Sequence, residues 1–190
     1  MRPGWDYLIV TAANKDQAKA YEEQLRIRRD LGLIHGVKDV LVVSDPEGRR
    51  IGSGGSTLLC LLEVINRELR GRKKDLVSPD AWERVLRRLR VLIVHAGGDA
   101  RRLPAYSPCG KILIPVPGES DSALGFTLID RQLPRYLSLP APADGSGQTV
   151  ITSGDVFLDF DSSRVRFGRR GITAVGCPAD PKLASAHGVF

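Results

Sequence analysis

Val91-Leu-Ile-Val94 is a short apolar run that opens directly into His95-Ala-Gly-Gly98. That junction constrains the fold more tightly than any other stretch of the chain. A run this short and this apolar, bounded by a turn signal, reads as a strand buried on both faces. The paired glycines let the backbone turn with no side chain in the way, so N–H groups can be presented to an anion. Helical patterns lie on either side of the run in sequence. A doubly buried strand between helices belongs to a sheet with helices packed on its faces.

The same alternation recurs along the chain. Residues 6–12 read as a first strand. Asn14-Lys-Asp-Gln17 resembles a capping box and opens a helix that runs to about Leu31. Residues 37–43 form a second strand, followed by the turn-rich Ser44-Asp-Pro-Glu-Gly48. Gly52-Ser-Gly-Gly-Ser-Thr57 is a glycine-rich entry to an apolar helix over 58–69, with Leu58, Leu61, Leu62 and Ile65 expected on its core face. Ser78-Pro79 pairs an N-cap with proline at the first helical position, and Trp82, Val85, Leu86 and Leu89 share the face beyond it. A helix is predicted from Ala123 to about Leu137, a flexible surface loop over 140–147, a strand over 149–152 and one more over 171–176. Strands alternating with helices predict an α/β fold with a mainly parallel sheet and flanking helices. Ligands of such sheets bind outside the carboxyl ends of the strands. Gly97-Gly98 and Gly154-Asp155 both follow strands, so both should face one crevice.

The 190 residues suffice for a single domain over 1–190 with a core of its own. The chain stops at His187-Gly-Val-Phe190 with no terminal element, which reads as a fragment of a longer protein. No apolar run approaches the ~20 residues of a membrane span, and the first residues lack a signal-peptide pattern. Cys60, Cys109 and Cys177 are odd in number and widely spaced, which argues against a disulfide framework and for a reducing cytoplasm. The formal charge of +6 comes from basic residues scattered over helix faces, such as Arg26, Arg28 and Arg29. Without aromatic interleaving they read as solvated faces, so no nucleic-acid partner is expected.

Chemistry concentrates around the glycine pair. Arg102 can grip a phosphate bidentately, and Lys111, in Gly110-Lys111, can serve as a point charge on another. The alternative is a glycine turn with solvated arginines, but Gly-Gly-x-x-Arg-Arg-Leu-Pro followed by Gly-Lys favours phosphate. Competing motifs fail. A P-loop would need glycine at Ala105 and a hydroxyl at Ile112, and a dinucleotide fingerprint at Gly52-x-Gly54 lacks its last glycine. Gly54 and Gly55 either offer N–H groups to an anion at a helix entry or simply start the helix. Asp155 is either a turn residue or a metal ligand, and one carboxylate with waters and phosphates is enough for Mg²⁺. Asp159 and Asp161 read as solvated turn residues, Cys109 as a small loop residue, and His35 as a surface residue. His95 and His187 lack metal-ligand spacing.

His95-Ala-Gly-Gly-Asp-Ala-Arg-Arg-Leu-Pro104 with its lysine resembles the signature of sugar-phosphate nucleotidyltransferases. Taken with Gly52-Ser-Gly-Gly-Ser-Thr57, Gly110-Lys-Ile-Leu113, Pro115-Val-Pro117, Ser153-Gly-Asp-Val156 and His187-Gly-Val-Phe190, the whole chain resembles the fucose-1-phosphate guanylyltransferase family. Some members of that family carry a fused sugar kinase domain. The resemblance implies a Rossmann-like, GT-A-like nucleotidyltransferase fold. It also implies formation of GDP-fucose and pyrophosphate from GTP and fucose 1-phosphate, with Mg²⁺. Under it, Gly97 and Gly98 contact the nucleotide, Arg102 steadies the triphosphate and departing pyrophosphate, Lys111 neutralises phosphates at the reacting centre, and Asp155 holds Mg²⁺. Asp99 stands where the related pattern often has a small or neutral polar residue. Another sugar 1-phosphate, another nucleoside triphosphate, or a nucleotide-binding module without turnover are the alternatives.

Overall fold

The computed structural model describes residues 4–72, 74–97, 110–120, 122–167, 171–176 and 178–185. Its centre is a four-stranded, all-parallel sheet in the order β2-β1-β3-β4. The strands are β1 (Trp5–Ala12), β2 (Val37–Ser44), β3 (Arg90–His95) and β4 (Gln148–Ser153). Helices α1 (Lys15–Asp30), α2 (Gly52–Glu68), α3 (Pro79–Leu86) and α4 (Leu128–Leu137) flank it, and one turn, α5 (Pro181–Ala184), follows. This is the α/β class expected from the alternation of elements.

The inner strands explain their own composition. Alternate residues of a strand point to opposite faces, so a strand covered on both sides must be apolar throughout. On one face Leu8, Val10, Leu92 and Val94 pack against α1 and α4. On the other Tyr7, Ile9, Val91 and Ile93 pack against α2 and α3. All eight are buried. The caps read from sequence are present. The Asn14 side chain accepts from the Gln17 N–H at 2.9 Å, and Ser78 caps α3 ahead of Pro79.

Four expectations are corrected. The glycine-rich 52–57 stretch is not a loop before a helix at 58, because α2 already starts at Gly52, whose φ of +74° makes the entry sharp. Burial of Ser56, Cys60, Val64 and Ile65 compensates for glycines that disfavour a helix locally. Leu58 and Leu62 do not face the core and are exposed, since the buried stripe of this helix, whose 58–62 run is unbroken apolar, passes through Ser56, Cys60 and Val64 instead. The helix expected from Ala123 starts only at Leu128. Backbone bonds from Val116 N–H to Phe126 O and from Leu128 N–H to Ile114 O hold the preceding residues extended, and a Thr127–Asp130 capping box starts the helix there. Residues 171–176 form no strand among the described residues. A strand needs a ladder partner, and this segment has none, with Ile172 fully exposed.

A further expectation is corrected at Arg28, which does not sit on a solvated face but is buried in an ion pair that ties the helical layer on the α1 side together. Arg28, 2% exposed, donates to both carboxylate oxygens of Asp130 and to the Thr127 hydroxyl. Burial pushes the Asp130 carboxyl up, but the bonds from Arg28 and Thr127 outweigh it and hold it below the usual range.

Candidate functional site

All four strands run the same way, so their carboxyl ends form one rim. Two features lie along it.

The first is an ion pair. Lys111 Nζ stands 2.7 Å from Asp155 Oδ2, joining residues far apart in sequence. Asp155 follows β4 by two residues. Lys111 opens a short 3₁₀ turn, Lys111–Leu113, whose Ile112 is buried. Two glycines fix the meeting. Gly110 has φ +67°, and a Cβ there would lie 1.7 Å from the hydroxyl of buried Tyr21. Gly154 packs so closely that a Cβ would fall 2.4 Å from Ile112 Cγ2, and its N–H donates to His95 O at 2.8 Å. The glycine of Ser153-Gly-Asp155 and the isoleucine of Gly110-Lys-Ile112 are therefore two halves of one contact. Asp155 also accepts from the Ser153 hydroxyl. The Lys111 ammonium first, and then this hydroxyl, hold the Asp155 carboxyl below the usual carboxylate range, so it is ionised at neutral pH.

The second feature is an open cleft of about 230 Å³ at the ends of β1, β2 and β3, lined by Thr11, Asp45, Ser53, Ser56, His95 and Gly97 among others. Asp45 is anchored at both ends. Its N–H donates to Ala12 O at 2.9 Å, and its Oδ1 accepts from Ser56 Oγ of α2 at 2.8 Å. His95 Nε2 lies 2.9 Å from Thr57 Oγ1. Burial lowers the His95 pKa, against a smaller upward pull from Asp45, so the ring is neutral at pH 7. Gly97 sits hard against the end of β1, where a Cβ would come within 3.1 Å of the Ala12 carbonyl carbon. Its N–H and that of Ala96 both reach the Thr11 hydroxyl.

The predicted site residues thus distribute unevenly. Lys111 and Asp155 meet, and Gly97 lines the neighbouring cleft. His95 pairs in register with Ser153, which makes cleft and ion pair adjacent on the rim. Gly54 and Gly55 belong to the first turn of α2, where the neighbouring Gly52 and Ser53 line the cleft. Gly98 and Arg102 lie outside the described residues, as do Asp99, Cys109 and His187. Asp159 pairs with Arg135 at 2.7 Å and Asp161 caps a 3₁₀ turn, as turn residues do. Sequence reasoning passed over Asp45, Ser56 and Thr11. The available signal was position, since Ser44-Asp45 leaves a strand at the same carboxyl rim as the glycine pair.

Among the described residues no group of three or more His, Cys, Asp and Glu gathers as a metal cage. Asp155 alone suits a hard cation that takes one carboxylate and fills its remaining positions with water and phosphate oxygens, which is the habit of Mg²⁺.

Residues 83–190 match the fucose pyrophosphorylase domain family. The chain is similar to a bifunctional fucokinase/GDP-fucose pyrophosphorylase of Arabidopsis thaliana, 32% identical over 99% of this chain and 19% of the relative. It is 37% identical to an L-fucokinase/L-fucose-1-P guanylyltransferase of Bacteroides fragilis over 80% of this chain and 16% of that protein. A fucose-1-phosphate guanylyltransferase of Mus musculus is 34% identical over 98% of this chain and 29% of its own length. The chain therefore spans less than a third of the length of each of these relatives. No solved structure matches it. With more than half of its residues matched by the domain, the chain belongs to the fucose pyrophosphorylase domain family.

Proposed function

We infer that this chain carries the nucleotidyl-transfer site that makes GDP-fucose and pyrophosphate from GTP and fucose 1-phosphate. The observation that supports this best is the Lys111–Asp155 pair on the carboxyl rim, beside a cleft open to a ligand. In the reaction an oxygen of the sugar phosphate forms a bond to the α-phosphorus of GTP. The bond from that phosphorus to the α,β-bridging oxygen breaks, and its electron pair leaves with pyrophosphate. The sugar phosphate is already an anion, so no general base is required.

The barrier then lies in bringing anions together, and positioned charge is the means of lowering it. Lys111 is held by its glycine hinge with its ammonium on the rim. Its contact with Asp155 keeps it extended there, and the remaining N–H donors are available to phosphate oxygens. Asp155 offers the carboxylate that would hold Mg²⁺, which supplies further neutralisation of phosphate charge when bound. Gly97 brings the backbone against β1, and under the family resemblance Gly98 would contact the nucleotide and Arg102 would steady the triphosphate. Gly54 and Gly55 add no side chain to the first turn of α2, whose Gly52 and Ser53 line the cleft.

No described helix is long and apolar enough to cross a membrane. The Cys60 thiol is free, buried and pushed up to about 12 by burial, so it is inert. The free thiol fits a reaction in a reducing cytoplasm. The fucokinase names of two relatives fit a fused kinase that would supply the sugar phosphate.

The test is pyrophosphate release by the full-length protein with Mg²⁺, pairing each nucleoside triphosphate with fucose, mannose and glucose 1-phosphates. Release confined to GTP with fucose 1-phosphate is expected. Release with another pair would reject the substrates, and binding without release under every pair would leave a nucleotide-binding module.

A further inference from the structure

The cleft beside the ion pair has a polar wall that the transfer chemistry does not use. Asp45 carries its carboxylate into it, fixed by the Ser56 hydroxyl at 2.8 Å and by its own backbone bond to Ala12. Ionised carboxylates offer about four acceptor sites, and the Ser56 bond takes one. That bond comes from the N-terminal half of α2, which holds the carboxylate in place. His95, in the same lining, is neutral and bound to Thr57, and the cleft's cationic side chain is Arg50, so a ligand here meets one carboxylate and one guanidinium. At about 230 Å³ the cleft is smaller than the ~300–1,000 Å³ that takes a whole drug-sized ligand, and suits one planar heterocycle. Asp45 and Asp155 stand at the ends of β2 and β4, three inter-strand steps apart, or roughly 14 Å. A nucleotide laid along the rim with its phosphates at Lys111 would bring its base to Asp45.

We propose that Asp45 is the residue that selects guanine, its carboxylate accepting from the N1–H and N2 amino groups of the base. The proposal rests on the nucleotidyl-transfer reading. The chemistry separates the bases. Guanine alone presents two adjacent donors on that edge. Adenine turns a ring-nitrogen acceptor towards the carboxylate, and hypoxanthine lacks the second donor. A site built to pair with donors rejects an analogue that leaves its acceptors unpaired. Asp45→Asn keeps the shape and can still accept from Ser56, yet replaces one acceptor by an N–H donor. Xanthine has a carbonyl where guanine has its amino group, so this variant should prefer xanthine.

Equilibrium binding of GTP, ITP, XTP and ATP to the full-length protein and to its Asp45→Asn variant tests this, with pyrophosphate release measured alongside. The wild-type protein should favour GTP over ITP and XTP by about tenfold or more. The variant should lose about 10- to 100-fold for GTP and gain for XTP. That gain cannot come from a merely structural tie between Asp45 and Ser56. Unchanged discrimination in the variant, or equal binding of GTP and ITP by the wild type, would overturn the proposal. Absence of nucleotide binding to a folded wild-type protein would overturn it together with the transfer reading. The expected base preference without pyrophosphate release would uphold Asp45 and reject only the transfer.

Discussion

Under the proposed transfer, Lys111 and Asp155 are the residues on which the chemistry turns, and their exposure separates function from stability. The pair is partly exposed, with 27% and 43% of the two side chains accessible. Pairs of that kind contribute about 0–1 kcal/mol to folding. Lys111→Met should therefore leave the melting temperature nearly unchanged while lowering kcat by about 10²–10³-fold, the usual cost of one aimed charge. Equal kcat for variant and wild type would remove Lys111 from the reacting centre. His95 behaves in the opposite sense. Its pKa is lowered by burial from the ordinary 6.5, so the unfolded chain binds its proton at higher pH than the folded chain does. Above 6.5 the residue is neutral in both states and stability is insensitive to it. Below 6.5 stability should fall with pH, and less steeply in His95→Gln, as denaturant melts at successive pH values would show. Of these residues Lys111 was picked out in sequence by Gly110-Lys111 beside the glycine-rich signature, and Asp155 by its place after a strand and by the family resemblance. Asp45 was not, because an aspartate in Ser-Asp-Pro is indistinguishable from a turn residue until Ser56 is folded back upon it.

At the scale of elements, the site depends on close approaches that only glycine allows. Gly110→Ala would place a methyl group inside the Tyr21 ring position and force a side chain into a left-handed conformation. Overpacking of this kind costs about 1–3 kcal/mol, and the turn carrying Lys111 should move as well. The expected result is a lower melting temperature together with lost activity, and a variant with wild-type stability would show that Tyr21 yields freely. The helix tie is a second case. Asp130→Ala leaves the Arg28 guanidinium buried without its carboxylate, which costs about 3–5 kcal/mol in comparable pairs. Chemical denaturation measures it directly, and a loss below 1 kcal/mol would mean that Arg28 finds water. Strands and caps were readable because short apolar runs and Ser-Pro or Asn-x-x-Gln patterns encode them locally. The start of α4 was not, since it is set by the pairing of 114–116 with 126–128, which is a tertiary contact. The face of α2 was not readable either, because the unbroken apolar run 58–62 covers every side of its turn and gives periodicity nothing to choose between.

For the whole molecule, parallel strand order does most of the positioning. One sheet with one direction gathers residues from Thr11 to Asp155 along a single rim, and sequence alone predicted that rim from the rule for α/β sheets. It did not predict the strand order, with the signature strand β3 placed between β1 and β4. That order sets the ion pair on the β4 side of β3 and opens the cleft towards β1 and β2. The most direct test of the account is Mg²⁺-dependent pyrophosphate release by full-length Asp155→Asn beside the wild type, with nucleotide binding and melting temperature measured on the same samples. The account predicts a folded variant that binds nucleotide, turns over at least about 10²-fold more slowly and needs more Mg²⁺. Wild-type turnover at wild-type Mg²⁺ would contradict it.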